Sequence, residues 1–150
     1  MTHHDKPHAL NHLIEICRDG INFYRDAAQK VDDPQLQALF GRMAQAKADL
    51  VQSLATEVRL EGAKPADRGT LVGEFQQIYG ELRAKFGDKR YGFIAELEQL
   101  EDRLLAAFQR AAFADDSPLA VRTAASLHMP EVRACHEEMA RLKQSFKKAA

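Results

Sequence analysis

The sequence has no tryptophan, only two cysteines, and just five prolines and eight glycines. Two cysteines are too few for a disulfide scaffold. No stretch is a low-complexity linker. An excess of one charge is missing as well: 21 Lys+Arg against 22 Asp+Glu leave a formal net charge of -1. Nothing in that balance points to wholesale binding of nucleic acid or an anionic membrane. No apolar run approaches the roughly 18 residues a membrane span requires. The first residues, MTHHDKPHALNHL, lack the basic region and apolar stretch of a secretory signal. The expectation is a soluble, cytoplasmic protein with neither nucleic acid nor membrane as partner. What is present is ordinary globular composition, 45% hydrophobic and 29% charged. A chain of 150 residues reads as one domain over 1–150. It buries roughly 68–70% of its unfolded surface, enough to fold without metal or disulfide. Residues 1–8 read as a flexible end.

Four long segments carry helical periodicity. Leu10, Leu13, Cys17, Ile21, Tyr24, Ala28 and Val31 alternate by three and four, which places them on one stripe of a helix. Asp32-Asp33-Pro34 ends it and starts the next, with Asp33 as N-cap and Pro34 at the first helical position. The second helix presents Leu36, Leu39, Phe40, Met43, Leu50, Leu54 and Val58, and Gly62 supplies its C-terminal cap. A third, capped by Asp88, carries Ile94, Leu97, Leu104, Phe108 and Ala111. The turn Asp115-Asp116-Ser117-Pro118 leads to a fourth through Leu127, Val132, Met139, Leu142 and Phe146. No stretch alternates with period two for long enough to form a strand.

Short turns join helices one to two and three to four, so each pair reads as an antiparallel hairpin. The long connection, residues 63–88, lets the chain cross the bundle and carries a short amphipathic helix with Leu71, Phe75, Ile78, Tyr79, Leu82 and Phe86 on one face. Two hairpins joined by one long crossover make the ferritin-like form of the all-α four-helix bundle. An up-down-up-down bundle with an accessory helix is the alternative.

LNHLIEICRDGINFYRDAAQ (10–29) and DDPQLQALF (32–40), with Leu100-Glu101-Asp102 and RACHEEMARLK (133–143), resemble a bacterial four-helix-bundle family of unknown function in the ferritin-like superfamily. The resemblance implies a fold and almost no activity. A ferritin-like di-iron site takes a Glu from each of two helices and a Glu-x-x-His from each of the other two. The resemblance sets these ligands seven residues before Tyr24, seven after Phe40, seven before Phe108, and on the last helix. The residues there are Cys17, Lys47 with Leu50, Glu101, and Arg133 with His136. Only Glu101 and His136 keep the residue types that such a site requires, while Lys47 and Arg133 would repel a metal pair, so no metal or other cofactor is expected. Strict spacing from Val132 to Met139 favours Cys135 as the inward residue, with His136 flanking.

A smaller site stays open: Cys17, Glu101 and His136 from three helices could bind one Zn²⁺ or iron ion with water in the remaining place. The favoured alternative is an internal charge network of Lys47, Glu101, Arg133 and His136, because charged side chains are rarely buried unpaired. Lys47 falls between Met43 and Leu50 on one apolar seam, and Glu101 between Leu97 and Leu104 on another, so the two should meet.

Other features are weaker. His3, His4, His8 and His12 crowd the N-terminus, and His8 and His12 at i, i+4 could chelate a surface metal; a solvated end explains them equally well. Gly20 interrupts a good helix, which close packing against a neighbour would explain. Pro130 should bend the last helix. A Cys17–Cys135 disulfide needs close Cα approach and an oxidising compartment, neither of which is indicated. The basic RLKQSFKK end suits the macrodipole of the last helix. The 71–86 face either packs across the bundle or serves a homo-oligomer or protein partner. No catalytic motif is present. The reading that results is a non-enzymatic intracellular scaffold or interaction protein, tied through the resemblance to stress physiology. The competing reading is a metal-binding or redox protein using the remnant site.

Overall fold

The computed structural model describes residues 5–70 and 89–149. Within them lie four helices: α1 (Asp5–Lys30), α2 (Pro34–Leu60), α3 (Lys89–Phe113) and α4 (Leu119–Ala149). There is no strand among the described residues. The short helix expected over 71–86, and with it the cap at Asp88, lies outside them. The N-terminal helix begins at Asp5, so residues 5–8 belong to α1 rather than to a loose end.

Local chemistry sets the boundaries. Asp33 accepts hydrogen bonds from the backbone N–H of Gln35 (2.9 Å) and Leu36 (3.3 Å), with Pro34 opening the helix. At the other end of α2, Gly62 takes φ +77°. Its N–H donates to Arg59 O, and the next N–H, of Ala63, donates to Val58 O. That pair of bonds is the Schellman cap, and its left-handed residue favours glycine. Ser117 closes α3 by donating from its hydroxyl to Ala111 O (2.6 Å). The fourth helix continues through Pro130.

The two core clusters reveal the helix directions. One gathers the first half of α1 (Leu10, Leu13), the second half of α2 (Leu54, Val58), the second half of α3 (Leu104, Phe108) and the first half of α4 (Val121, Ala125). The other gathers the opposite halves: Tyr24, Phe40, Ile94, Leu97 and Met139. Helices α1 and α4 therefore run one way, and α2 and α3 the other. Each hairpin packs within itself, and the two meet chiefly through α1 and α3.

The start of the crossover is strapped along α1. Asn11 donates to Lys64 O (3.0 Å) and accepts from Ala66 N–H, and Arg18 Nε donates to Ala66 O (2.8 Å). Further on, Thr70 donates to the buried Asp19 carboxylate (2.5 Å), which also accepts from Arg103 of α3 (3.2 Å). Gly69 lies directly on that carboxylate; a Cβ there would fall 2.0 Å from Asp19 Oδ1. This path leads away from the end of α2 and towards the start of α3, which sits where Arg90 approaches Asp33 (4.0 Å).

One seam residue needs correction. Leu127 is 73% exposed, whereas Val121, Ala125 and Met129 are buried. Counting back from Val132 by three and four reaches Met129, Ala125 and Val121. Leu127 is five residues away from Val132, on the opposite side of the helix.

Candidate functional site

Between the two clusters, at mid-height, every helix contributes a reactive or ionisable side chain. Helix α1 brings Cys17 and Tyr24, α2 brings Lys47, α3 brings Glu101 and α4 brings Cys135, and all five are buried. Each sits on a seam position, so helical periodicity alone points it inward.

Lys47 and Glu101 meet as an ion pair at Glu101 Oε1, with both side chains almost wholly withdrawn from solvent. Glu101 Oε2 has no hydrogen-bond partner among the described residues. Tyr24 donates its hydroxyl proton to the same Oε1 (2.7 Å). The Lys47 ammonium also lies 5.3 Å from the centre of the Tyr24 ring, within cation–π range. Gly20 explains how lysine fits there. A Cβ at Gly20 would stand 3.0 Å from Lys47 Cδ and 3.3 Å from Cε, so the bare glycine leaves a channel for the lysine stem.

Electrostatics follow from this packing. Burial pushes the Cys17 thiol up to about 12, and the Lys47 ammonium offsets only part of that effect. Burial likewise raises Cys135 and, with the neighbouring Glu101 carboxylate, holds the Tyr24 hydroxyl well above its ordinary value. Burial acts to lower Lys47, but the Glu101 carboxylate, together with the neighbouring Cys135 and Cys17, outweighs it, so the ammonium stays charged. The outcome is one neutralised ion pair among protonated thiols and a protonated phenol.

The other residues named from the sequence are distributed differently. Arg133 is exposed and stands outside the buried network. His136 is half-buried and pairs through Nε2 with Asp102, not with Glu101. Cys135 faces inward and His136 lies at the edge. Cys17, Glu101 and His136 therefore do not converge: the potential metal-holding group among the described residues is Glu98, Asp102 and His136. The physical reason is the 100° that each residue turns along a helix: Asp102 and His136 follow inward-facing neighbours and so face outward beside each other. Tyr24 takes the partner role expected of Arg133. His8 and His12 are both exposed. Cys17 and Cys135 are free thiols.

Sequence reasoning missed the buried Asp19 and its ties to Thr70 and Arg103. The available signal was an acid within a run of buried apolar positions on α1, which requires a donor from elsewhere. It also missed Glu96, buried on α3, whose carboxyl is raised by desolvation.

Residues 5–113 match the family described as Domain of unknown function (DUF2383). The chain belongs to this family. No curated protein matches the chain. The DUF2383 match runs from the start of α1 to the end of α3. It therefore contains Cys17, Tyr24, Lys47 and Glu101, while Cys135 and His136 lie beyond it. No helix among the described residues is long and apolar enough to cross a membrane.

Proposed function

We propose that this DUF2383 chain is a single-domain ferritin-like bundle acting inside the cell as a helical scaffold or interaction protein, without an enzymatic centre. The carrying observation is the Lys47–Glu101 pair. An ammonium occupies the middle of the bundle and neutralises the carboxylate there, where a metal pair would instead require several uncompensated carboxylates. The protonated state of Cys17 and Tyr24 supports the same reading. The ferritin-like assignment draws support from the helix directions, α1 and α4 one way against α2 and α3, with a long crossover between the hairpins.

The interaction role draws on apolar side chains left in water. Leu60, Phe113, Leu119 and Leu127 are all at least 65% exposed. Leu60, Phe113 and Leu119 lie at the end of the bundle where α2 and α3 finish and α4 begins, and Leu127 lies about two turns further along α4. Leu119 and Leu127 line a cleft of about 700 Å³ that runs beside Ser53, Thr56 and Glu57 of α2. A cleft with exposed apolar walls of this kind is a candidate association site. The 71–86 face named from the sequence lies outside the described residues and is a second candidate surface.

Ferrous iron offered to tag-free protein in air tests the non-enzymatic reading. Oxidation should not exceed that in protein-free buffer. Stoichiometric oxidation that disappears in Glu101→Ala would restore a working metal centre and overturn the proposal.

A further inference from the structure

A second cluster lies on the outer side of the α3–α4 seam, and the buried centre has no use for it. Glu98 and Asp102 sit four residues apart on α3, so they share one helix face. His136 reaches them from α4. One donor atom from each residue, two carboxylate oxygens and one imidazole nitrogen, lies within 4.8 Å of the other two. We propose that Glu98, Asp102 and His136 form a binding site for one divalent transition-metal ion of the zinc class, bridging α3 to α4.

The donor set argues for that class. Two carboxylates match the charge of a dication, and an imidazole is a ligand for zinc and its neighbours rather than for Ca²⁺ or Mg²⁺, which take oxygen. Three protein ligands leave a fourth place for water, the open form of a zinc site. Location argues the same way. The Glu98 and His136 side chains are only 14% and 24% exposed, whereas Asp102 is 53% exposed, so the site is recessed at its base and open at its mouth. The flanking residues Leu97, Leu100, Cys135 and Met139 are buried in the core, which holds both helices in register. In the metal-free protein, His136 Nε2 is occupied by Asp102, and Glu98 Oε2 by Lys143 Nζ at 3.3 Å. The metal takes the place of the proton between His136 and Asp102, and Lys143 is the one competing cation in contact with the cluster among the described residues. This site is separate from the bundle centre, so it stands whether or not the non-enzymatic reading does.

The test is calorimetric titration of tag-free protein with ZnCl₂, followed by Co²⁺ absorption as a report of geometry. One equivalent should bind, and Zn²⁺ should raise the thermal unfolding midpoint. Even outer partners of metal ligands carry about 10-fold in affinity, so His136→Ala and Asp102→Asn should each weaken binding by at least about 10-fold, with helicity unchanged. Because the N-terminal histidines are the rival zinc ligands in this sequence, a His3→Ala/His4→Ala/His8→Ala/His12→Ala variant belongs in the series and should keep the site. Absence of binding in the wild type, binding retained in both triad variants, or loss only in the N-terminal variant would each overturn the proposal. Glu101→Ala separates the two readings: it should leave zinc binding intact, whereas the iron-oxidation test turns on it.

Discussion

Glu101 and Asp102 are neighbours on α3, and Cys135 and His136 are neighbours on α4, yet each pair divides between two environments. Glu101 and Cys135 are buried with Lys47 and Tyr24, while Asp102 and His136 pair with each other at the rim. Carboxylates one residue apart thus have opposite energetics. The inner one has exchanged all its water for a lysine and a tyrosine, and its charge is tolerated only because both partners stay in place. The outer one keeps water on one side, so its pairing is optional and its oxygens remain available to another ligand.

The largest effect expected from this contrast is in the centre. Lys47→Met or Glu101→Leu alone strands a buried charge and should cost about 3–5 kcal/mol, whereas the double apolar replacement should be near neutral or stabilising. Urea melts of the two single variants and the double variant read this directly. Small additive effects would mean that the inner set behaves like the outer one, and the contrast would fail.

Alkaline titration should produce an intermediate effect. The Cys17 thiol ionises near 9.0 when exposed and at about 12 in the fold. Between those values the unfolded chain releases a proton that the folded chain keeps, so stability falls as pH rises. For this one thiol the loss is at most about 1.4 kcal/mol per pH unit. Lys47 and Tyr24 are also raised, and both act in the same sense. Urea midpoints measured at successive pH values should decline from pH 9 upward, and less steeply in Cys17→Ala. Equal slopes in the two proteins would place Cys17 in contact with water.

The smallest effect belongs to the rim. Without metal, His136→Gln should change stability by less than about 1 kcal/mol at neutral pH, as exposed pairs do. A larger loss in a chemical melt would show that the rim pair is as structural as the inner one.

How far the sequence could be read depended on which residues local rules govern. Asp33-Pro34 and Gly62 act on backbone groups a few residues away, so the ends of α1 and α2 were legible from capping chemistry alone. The inward positions of Lys47 and Glu101 were legible because each falls between two apolar residues at helical spacing. Arg133 and His136 were placed less well. Near Pro130 the apolar marks thin out, and a phase error of one residue exchanges an inward position for an edge.

The apolar spacing, the caps and the short turns by themselves determined the four described helices, the two hairpins and the inward placement of Lys47 and Glu101, since all of these follow from interactions within one helix or one turn. Tertiary structure alone decided that Tyr24 would be the third member of that centre, that Gly20 would yield space to the Lys47 stem, that Asp19 would hold Thr70 and Arg103, and that Glu98, Asp102 and His136 would converge. Each of these joins residues far apart in the chain. Their meeting depends on the rotation and height at which one helix settles against another, quantities set by the packing of the whole core and by no single stretch of sequence.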